Sequence, residues 1–231
     1  MKTENHTALI PQLEEYLDKL SAEVSGIPPS RREKLEEIAT YISRKAREAS
    51  EVKLIFICTH NSRRSHMAHL WAEACAFRTG VAGKVKCYSG GTEATAFYPK
   101  AVNAMEDAGW KVEKKTSDPE IEAVSMANPG YLMTYCDNAE SEKDGLGTAL
   151  CFSKHFAEAP NPKKDFVAVM VCSDADDACP FIPGAAARFA LPYDDPKAFD
   201  ARPEAAEKYA ERCGEIAAEM DFLFRSAAKL M

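Results

Sequence analysis

Residues 52–65, VKLIFICTHNSRRS, decide how this chain is read. VKLIFIC (52–58) is a short apolar run rich in aliphatic residues, the pattern of a strand buried on both faces of a parallel sheet. It stops at Cys58, and the polar THNSRRS follows. HMAHLWAEACAFRT then resumes in helical periodicity. A strand, a short polar loop and a helix in this order set the loop against a helix N-terminus, where N–H groups and the helix dipole favour an anion.

The alternation continues on both sides. VKCYSG (85–90) predicts a second strand, residues 99–109 a helix, FVAVMVC (166–172) a further strand and residues 203–229 a final helix. Such alternation predicts a small doubly wound α/β domain with a parallel sheet. A ligand site is then expected at the carboxyl ends of its strands, where both Cys58 and Cys172 fall. Residues 129–165 interrupt the pattern. YLMTYC (131–136) and TALCFSKHF (148–156) flank the polar NAESEKDGLG and predict an inserted β-hairpin that extends the sheet at one edge.

Upstream, Leu9, Leu13, Leu17, Leu20 and Val24 form a helical stripe over residues 8–24. GIPPS breaks it. Ser30 and Glu33 have capping-box spacing for a second helix, with Leu35, Ile38, Ile42 and Ala46 on one face. The expected division is an N-terminal helical extension, 1–50, and an α/β domain, 51–231. The extension is too small for a core of its own. It is therefore expected to be a packing or dimerisation arm, and a homo-dimer through these helices is one expectation.

Composition narrows the function. The chain has 231 residues, 46% hydrophobic and 28% charged, with a formal net charge of -7. This balance argues against nucleic acid or an anionic membrane as partner, so any anion site must be built from local donors. No apolar run nears the ~20 residues of a membrane span, and the first residues lack the pattern of a signal peptide. A cytoplasmic location is the expectation. The eight cysteines are Cys58, Cys75, Cys87, Cys136, Cys151, Cys172, Cys179 and Cys213. In a reducing compartment most would be buried thiols and a minority reactive. No C-x-x-C pair occurs, and no His/Cys cluster has zinc-site spacing, so neither metal nor cofactor is expected.

The chemistry is expected in C-x5-R-S: Cys58, Thr59, His60, Asn61, Ser62, Arg63, Arg64 and Ser65. This spacing lets successive N–H groups converge on one tetrahedral oxyanion, arsenate or a phosphate ester. Arg64 would close the ring with a planar guanidinium matched to two oxygens. Cys58 is the candidate nucleophile, and Ser65 is placed to donate a hydrogen bond to its thiolate. Asn61 tolerates left-handed backbone and can brace the loop with its amide.

This segment resembles the anion-binding loop of the low-molecular-weight tyrosine phosphatase superfamily, which includes the thioredoxin-coupled arsenate reductases. In that family the loop commonly reads C-T-G-N-S-C-R-S; here His60 stands for the Gly and Arg63 for the second Cys. LPYDDP (191–196) is similar to the family's Asp-Pro loop, which implies Asp195 as general acid, with Asp194 the lesser candidate. VCSDADDACP (171–180) is similar to the redox segment of the thioredoxin-coupled arsenate reductases. The resemblance thus implies that Cys58 attacks arsenate and that Cys172 then attacks Cys58, releasing arsenite. Cys179 would carry the disulfide to Cys172–Cys179, for reduction by thioredoxin or a similar thiol reductant.

Two other readings stand beside it. A phosphatase would use Cys58, Arg64 and Asp195 alone, with Cys172 and Cys179 structural or protective. Its aromatic wall would be thin after Pro196 (Lys197, Ala198, Phe199), unless Tyr131 and Tyr135 supplied one. A non-turnover oxyanion or redox sensor would instead report through the helical arm to a partner. The resemblance also matches Asn61, Ser89 and Asp118 to a potassium site of some arsenate reductases, with His69 where an acidic ligand would stand.

Overall fold

Packing of VKLIFIC sets the centre of the molecule, as Leu54, Ile55, Phe56 and Ile57 are all buried. Burial of each such side chain contributes about 1.5–3 kcal/mol relative to exposure. The computed structural model describes residues 8–22, 26–48, 51–118, 124–138, 141 and 145–231. In chain order its elements are α1 (Pro11–Ala22), α2 (Pro29–Glu48), β1 (Val52–Cys58), α3 (Arg64–Arg78), β2 (Val85–Gly91), α4 (Pro99–Asp107) and β3 (Lys111–Lys115). There follow β4 (Gly130–Thr134), β5 (Thr148–Cys151), β6 (Phe166–Met170), α5 (Ser173–Ala178), β7 (Ala185–Ala190), a 3-10 turn (Pro196–Phe199) and α6 (Ala205–Leu230).

The main sheet has four strands in the order β2-β1-β6-β7, and every pair is parallel. The fold is therefore the α/β architecture that the alternation implied. The edge strand β7, AAARFA, had no strand signal, because alanine favours helix and the run lacks a period. Pairing with β6 decides its conformation.

β4 and β5 pair antiparallel, but they do not extend the parallel sheet. They join β3, KVEKK, in a separate three-stranded sheet of order β3-β4-β5. The reason is the partner that β3 offers: it binds β4 in register from Lys111↔Thr134 to Lys115↔Gly130, while Tyr131 and Met133 of β4 are buried in the core.

The N-terminal helices lie on α6. Leu13, Leu17, Leu35, Ile38 and Ile42 are fully buried, Ser21 Oγ donates to Asp221 Oδ2 at 2.9 Å, and Ser43 Oγ donates to Ala227 O at 3.0 Å. The apolar stripe is thus covered by the chain's own last helix. Val24 lies outside the described residues. α2 begins at Pro29, which suits the first helical position, so Ser30 is already inside the first turn and the capping box does not form. The carbonyl of Pro28 instead accepts from Arg31 N and Arg32 N, both at 3.0 Å.

Candidate active site

The carboxyl ends of adjacent strands gather the candidate residues. Cys58 ends β1 opposite Gly91 of β2. Val171 N donates to Ile57 O at 2.8 Å, which sets Cys172 just beyond the neighbouring strand β6. Leu191 N and Tyr193 N bond back to Met170 O and Val171 O, leading the segment toward Asp195 along the same rim. A side chain at Gly91 would meet Glu93 O at 2.2 Å, and Asn61 N and Thr59 O at 2.7 Å. Only glycine permits this approach of strand and loop.

The loop from Cys58 to Arg64 is built around Asn61, whose φ is 44°. Its Nδ2 donates to Ser65 Oγ at 2.8 Å, and its Oδ1 accepts from Lys154 N at 3.0 Å. Ser65 Oγ also lies 3.1 Å from Cys58 Sγ. Since Asn61 gives its proton to that oxygen, the Ser65 hydroxyl proton is left for the sulfur. The Thr59 carbonyl accepts from Glu93 N at 2.8 Å, and that of Ser62 from Tyr98 N at 2.9 Å. His60 does not take a left-handed φ. Its ring turns outward to Glu93, Nε2 lying 3.6 Å from the carboxylate, so a side chain replaces glycine here without strain. Among the described residues, no N–H of residues 60–65 donates to a backbone carbonyl.

The two arginines diverge. Arg63 points away from the loop: Nε donates to Tyr209 Oη at 2.6 Å, Nη2 to Asp200 at 2.7 Å, and its guanidinium lies 4.0 Å from the Tyr98 ring centroid. Any part it takes in oxyanion binding is left to its backbone. Arg64 is buried at the loop's closing position. Nη1 donates to Tyr193 O at 2.9 Å and Nη2 to Asp195 Oδ2 at 2.5 Å, while Nε has no partner. An unpaired buried donor is costly, and the Nε–Nη2 edge is the one a two-oxygen ligand would take.

Asp195 is partly exposed, and its second oxygen accepts from Lys197 N at 3.0 Å, capping the 3-10 turn. Asp194 is fully exposed and 3.7 Å from Arg212, turned to solvent. Cys172 is the N-cap of α5, its Sγ accepting from Ala175 N at 3.4 Å. That sulfur lies 3.5 Å from Thr59 Oγ1, on the residue after Cys58. Cys179 sits at the other end of α5, half-exposed. Arg188 of β7 holds this end, donating to Cys179 O at 3.1 Å and to Asp176 O at 2.7 Å.

The segment after β5 is part of the frame, which its sequence did not signal. Ser153 Oγ donates to His60 O at 2.9 Å, and Gly91 N donates to Lys154 O at 2.9 Å. Tyr131 and Tyr135 are core residues packed on Phe97 and on Phe77 and Trp110, so they form no wall at the site. The potassium set fares no better. Asn61 Oδ1 is taken by Lys154 N, Ser89 Oγ lies 3.2 Å from His66 Nδ1, and His69 offers nitrogen. An alkali cation wants oxygen donors, so His69 is the member of this set that does not suit one.

Residues 53–149 match the family model for low molecular weight phosphotyrosine protein phosphatase, and Cys172, Cys179 and Asp195 lie beyond the match. The arsenate reductase of Staphylococcus aureus (strain Newman) is 35% identical over 95 residues, 41% of this chain and 68% of that relative. The arsenate reductase of Bacillus subtilis (strain 168) is 38% identical over 90 residues, 38% of this chain and 60% of that relative. Among solved structures, the low molecular weight protein tyrosine phosphatase from T. tengcongensis aligns with a TM-score of 0.47 at 16% identity, over 76% of this chain and 99% of that one.

Proposed function

This chain belongs to the low molecular weight phosphotyrosine protein phosphatase family, and from that premise we propose that it is a thiol-dependent arsenate reductase with Cys58 as nucleophile. The observation that supports reduction over plain hydrolysis is the Cys172 thiol, 3.5 Å from the Thr59 hydroxyl. A hydrolase, in which water resolves the covalent intermediate, needs no second thiol for turnover.

In this reading arsenate enters the loop and takes the Nε–Nη2 edge of Arg64. Asp195 is thereby released from the guanidinium. The Cys58 thiolate attacks arsenic, an As–S bond forms, and one oxygen leaves as water with a proton from Asp195. The Cys172 thiolate then attacks Cys58 Sγ. The As–S bond breaks with its electron pair going to arsenic, giving arsenite and a Cys58–Cys172 disulfide. Attack of the Cys179 thiolate on Cys172 frees Cys58 and moves the oxidation to the half-exposed end of α5.

That last transfer needs a rearrangement. Cys172 and Cys179 flank the six residues of α5, and a helical rise of about 1.5 Å per residue puts their Cα atoms roughly 10 Å apart. A disulfide needs less than about 7 Å, so α5 must unwind, with Arg188 letting go. A dithiol reductant of the thioredoxin type then meets the exposed disulfide.

The test incubates the full chain with arsenate, thioredoxin, thioredoxin reductase and NADPH, beside an aryl phosphate assay. Arsenate-dependent NADPH oxidation is the expected result. Efficient aryl phosphate hydrolysis with arsenate leaving thioredoxin reduced would replace this reading with the phosphatase one.

A further inference from the structure

Three donors that the loop chemistry does not use meet behind the anion loop. His66 and His69 of α3 face Cys151 at the end of β5, and one ligand atom of each lies within 4.8 Å of the other two. All three residues are buried. Each imidazole is held at one nitrogen by an outer partner: His66 Nδ1 is 3.2 Å from Ser89 Oγ, and His69 Nε2 is 3.5 Å from Glu73 Oε1. The other two nitrogens face the cluster. His69 Nδ1 lies 3.9 Å from Cys151 Sγ, and His66 Nε2, on a fully buried ring, has no hydrogen-bond partner. An outer hydrogen bond on one ring nitrogen with the second lone pair open is how metal-bound histidines are held.

We propose that His66, His69 and Cys151 bind one soft monovalent metal ion, Cu(I), behind the anion loop. Thiolate and imidazole together select late first-row metals over alkali and alkaline-earth ions. Charge then selects among them. Lys154 and Glu73 are the charged side chains against the cluster, and they offset one another. Cu(I) would replace the thiol proton of Cys151, so the buried charge would not change. Zn(II) would leave one positive charge uncompensated in the interior, and it would ask for a fourth ligand. The 3.9 Å between His69 Nδ1 and Cys151 Sγ already suits a three-coordinate ion, whose donors at about 2.0–2.3 Å lie roughly 3.5–4 Å apart. His66 would close the remainder by a side-chain shift of about an ångström.

The experiment titrates the full chain anaerobically with Cu(I) against bicinchoninate, in a Cys172→Ser/Cys179→Ser background that removes the competing thiol pair. One bound equivalent is expected, with X-ray absorption reporting two nitrogens and one sulfur. Cys151→Ser and, separately, His69→Gln should each weaken binding by at least the about 10–100-fold that loss of an outer partner costs, with far-UV circular dichroism unchanged. Copper should raise Tm where all three donors are present and not where one is missing. Failure to hold copper against the chelator, or equal affinity in both variants, would overturn the site. Cys151-dependent uptake of Zn(II) or Co(II) in place of Cu(I) would overturn the choice of a monovalent ion.

Discussion

Ser65 Oγ stands 3.1 Å from Cys58 Sγ and takes its own proton donor from Asn61 Nδ2 at 2.8 Å, so the serine hydroxyl is oriented toward the sulfur. A hydrogen bond to a charged group contributes about 1.5–3 kcal/mol. Ser65→Ala should therefore lower kcat/KM for arsenate or aryl phosphate about 10- to 100-fold, with unchanged circular dichroism. An unchanged rate would show that the sulfur does not depend on this donor.

Arg64 and Arg63 should separate cleanly. Arg64→Lys keeps the charge but loses the planar edge, and kcat/KM should fall about a hundredfold or more. Arg63→Met should leave KM little changed and instead cost about 2 kcal/mol of stability, because Asp200 and Tyr209 lose their donor. Steady-state kinetics and urea unfolding of both variants check this. The reverse pattern would make Arg63 the clamp.

The proposed relay would leave a chemical signature. Cys179→Ser should turn over about once and stall with Cys58 joined to Cys172, which mass spectrometry after arsenate treatment reads directly. Cys172→Ser should give no disulfide from Cys58. Both should keep aryl phosphate hydrolysis, which uses only Cys58, Arg64 and Asp195. Multiple arsenate turnovers in both variants would rule the relay out.

The N-terminal hairpin reaches the site through a chain of contacts. Arg31 of α2 grips Glu219 of α6 at 2.7 and 2.9 Å, Tyr193 Oη donates to the same carboxylate at 2.6 Å, and Tyr193 O receives Arg64 Nη1 at 2.9 Å. Glu219 is 3% exposed. Arg31→Met would leave that buried carboxylate without its cation, a loss of about 3 kcal/mol. The KM for oxyanion should rise with it, and Glu219→Gln in the Arg31→Met background should restore part of the stability.

Lys154 supplies a pH dependence. Burial pushes its pKa down to about 8, below the unfolded value of about 10.4. Between these values the unfolded chain binds more protons, so this residue's contribution to stability improves as pH rises. Below pH 8 both states are protonated and the whole penalty is present. Lys154→Met in metal-free protein should therefore stabilise the fold at pH 7, on the order of 3 kcal/mol. Its advantage should shrink by pH 10. Urea unfolding at the two pH values measures this directly; a constant difference would show that the lysine carries no buried charge.

Part of this molecule was legible because its information is local. A strand of consecutive apolar residues, a polar loop and a helical period lie within residues 52–78, and Cys58, Arg64 and Ser65 fall within eight positions. The path of the backbone from β1 into α3 brings them together whatever the rest does. The stripes of α1 and α2 were legible for the same reason, since a helix face repeats every three to four residues.

Other features have no local signature. AAARFA becomes β7 because β6 offers it a ladder, against the preference of alanine for helix. Whether Arg63 or Arg64 faces the loop depends on Asp200 and Tyr209, more than a hundred residues away. The arm of α1 and α2 is spent on α6, which only packing could decide. Lys154 and Ser153 brace the anion loop from the far end of a second sheet. His66 and His69 have no metal-site spacing with any cysteine in the sequence, yet β5 carries Cys151 to them across 82 positions. Sequence fixes conformation over the few residues that one turn or one strand pair spans. Groups farther apart meet only when burial of the core selects one arrangement of the elements, and that arrangement chose the partners of each arginine, thiol and imidazole.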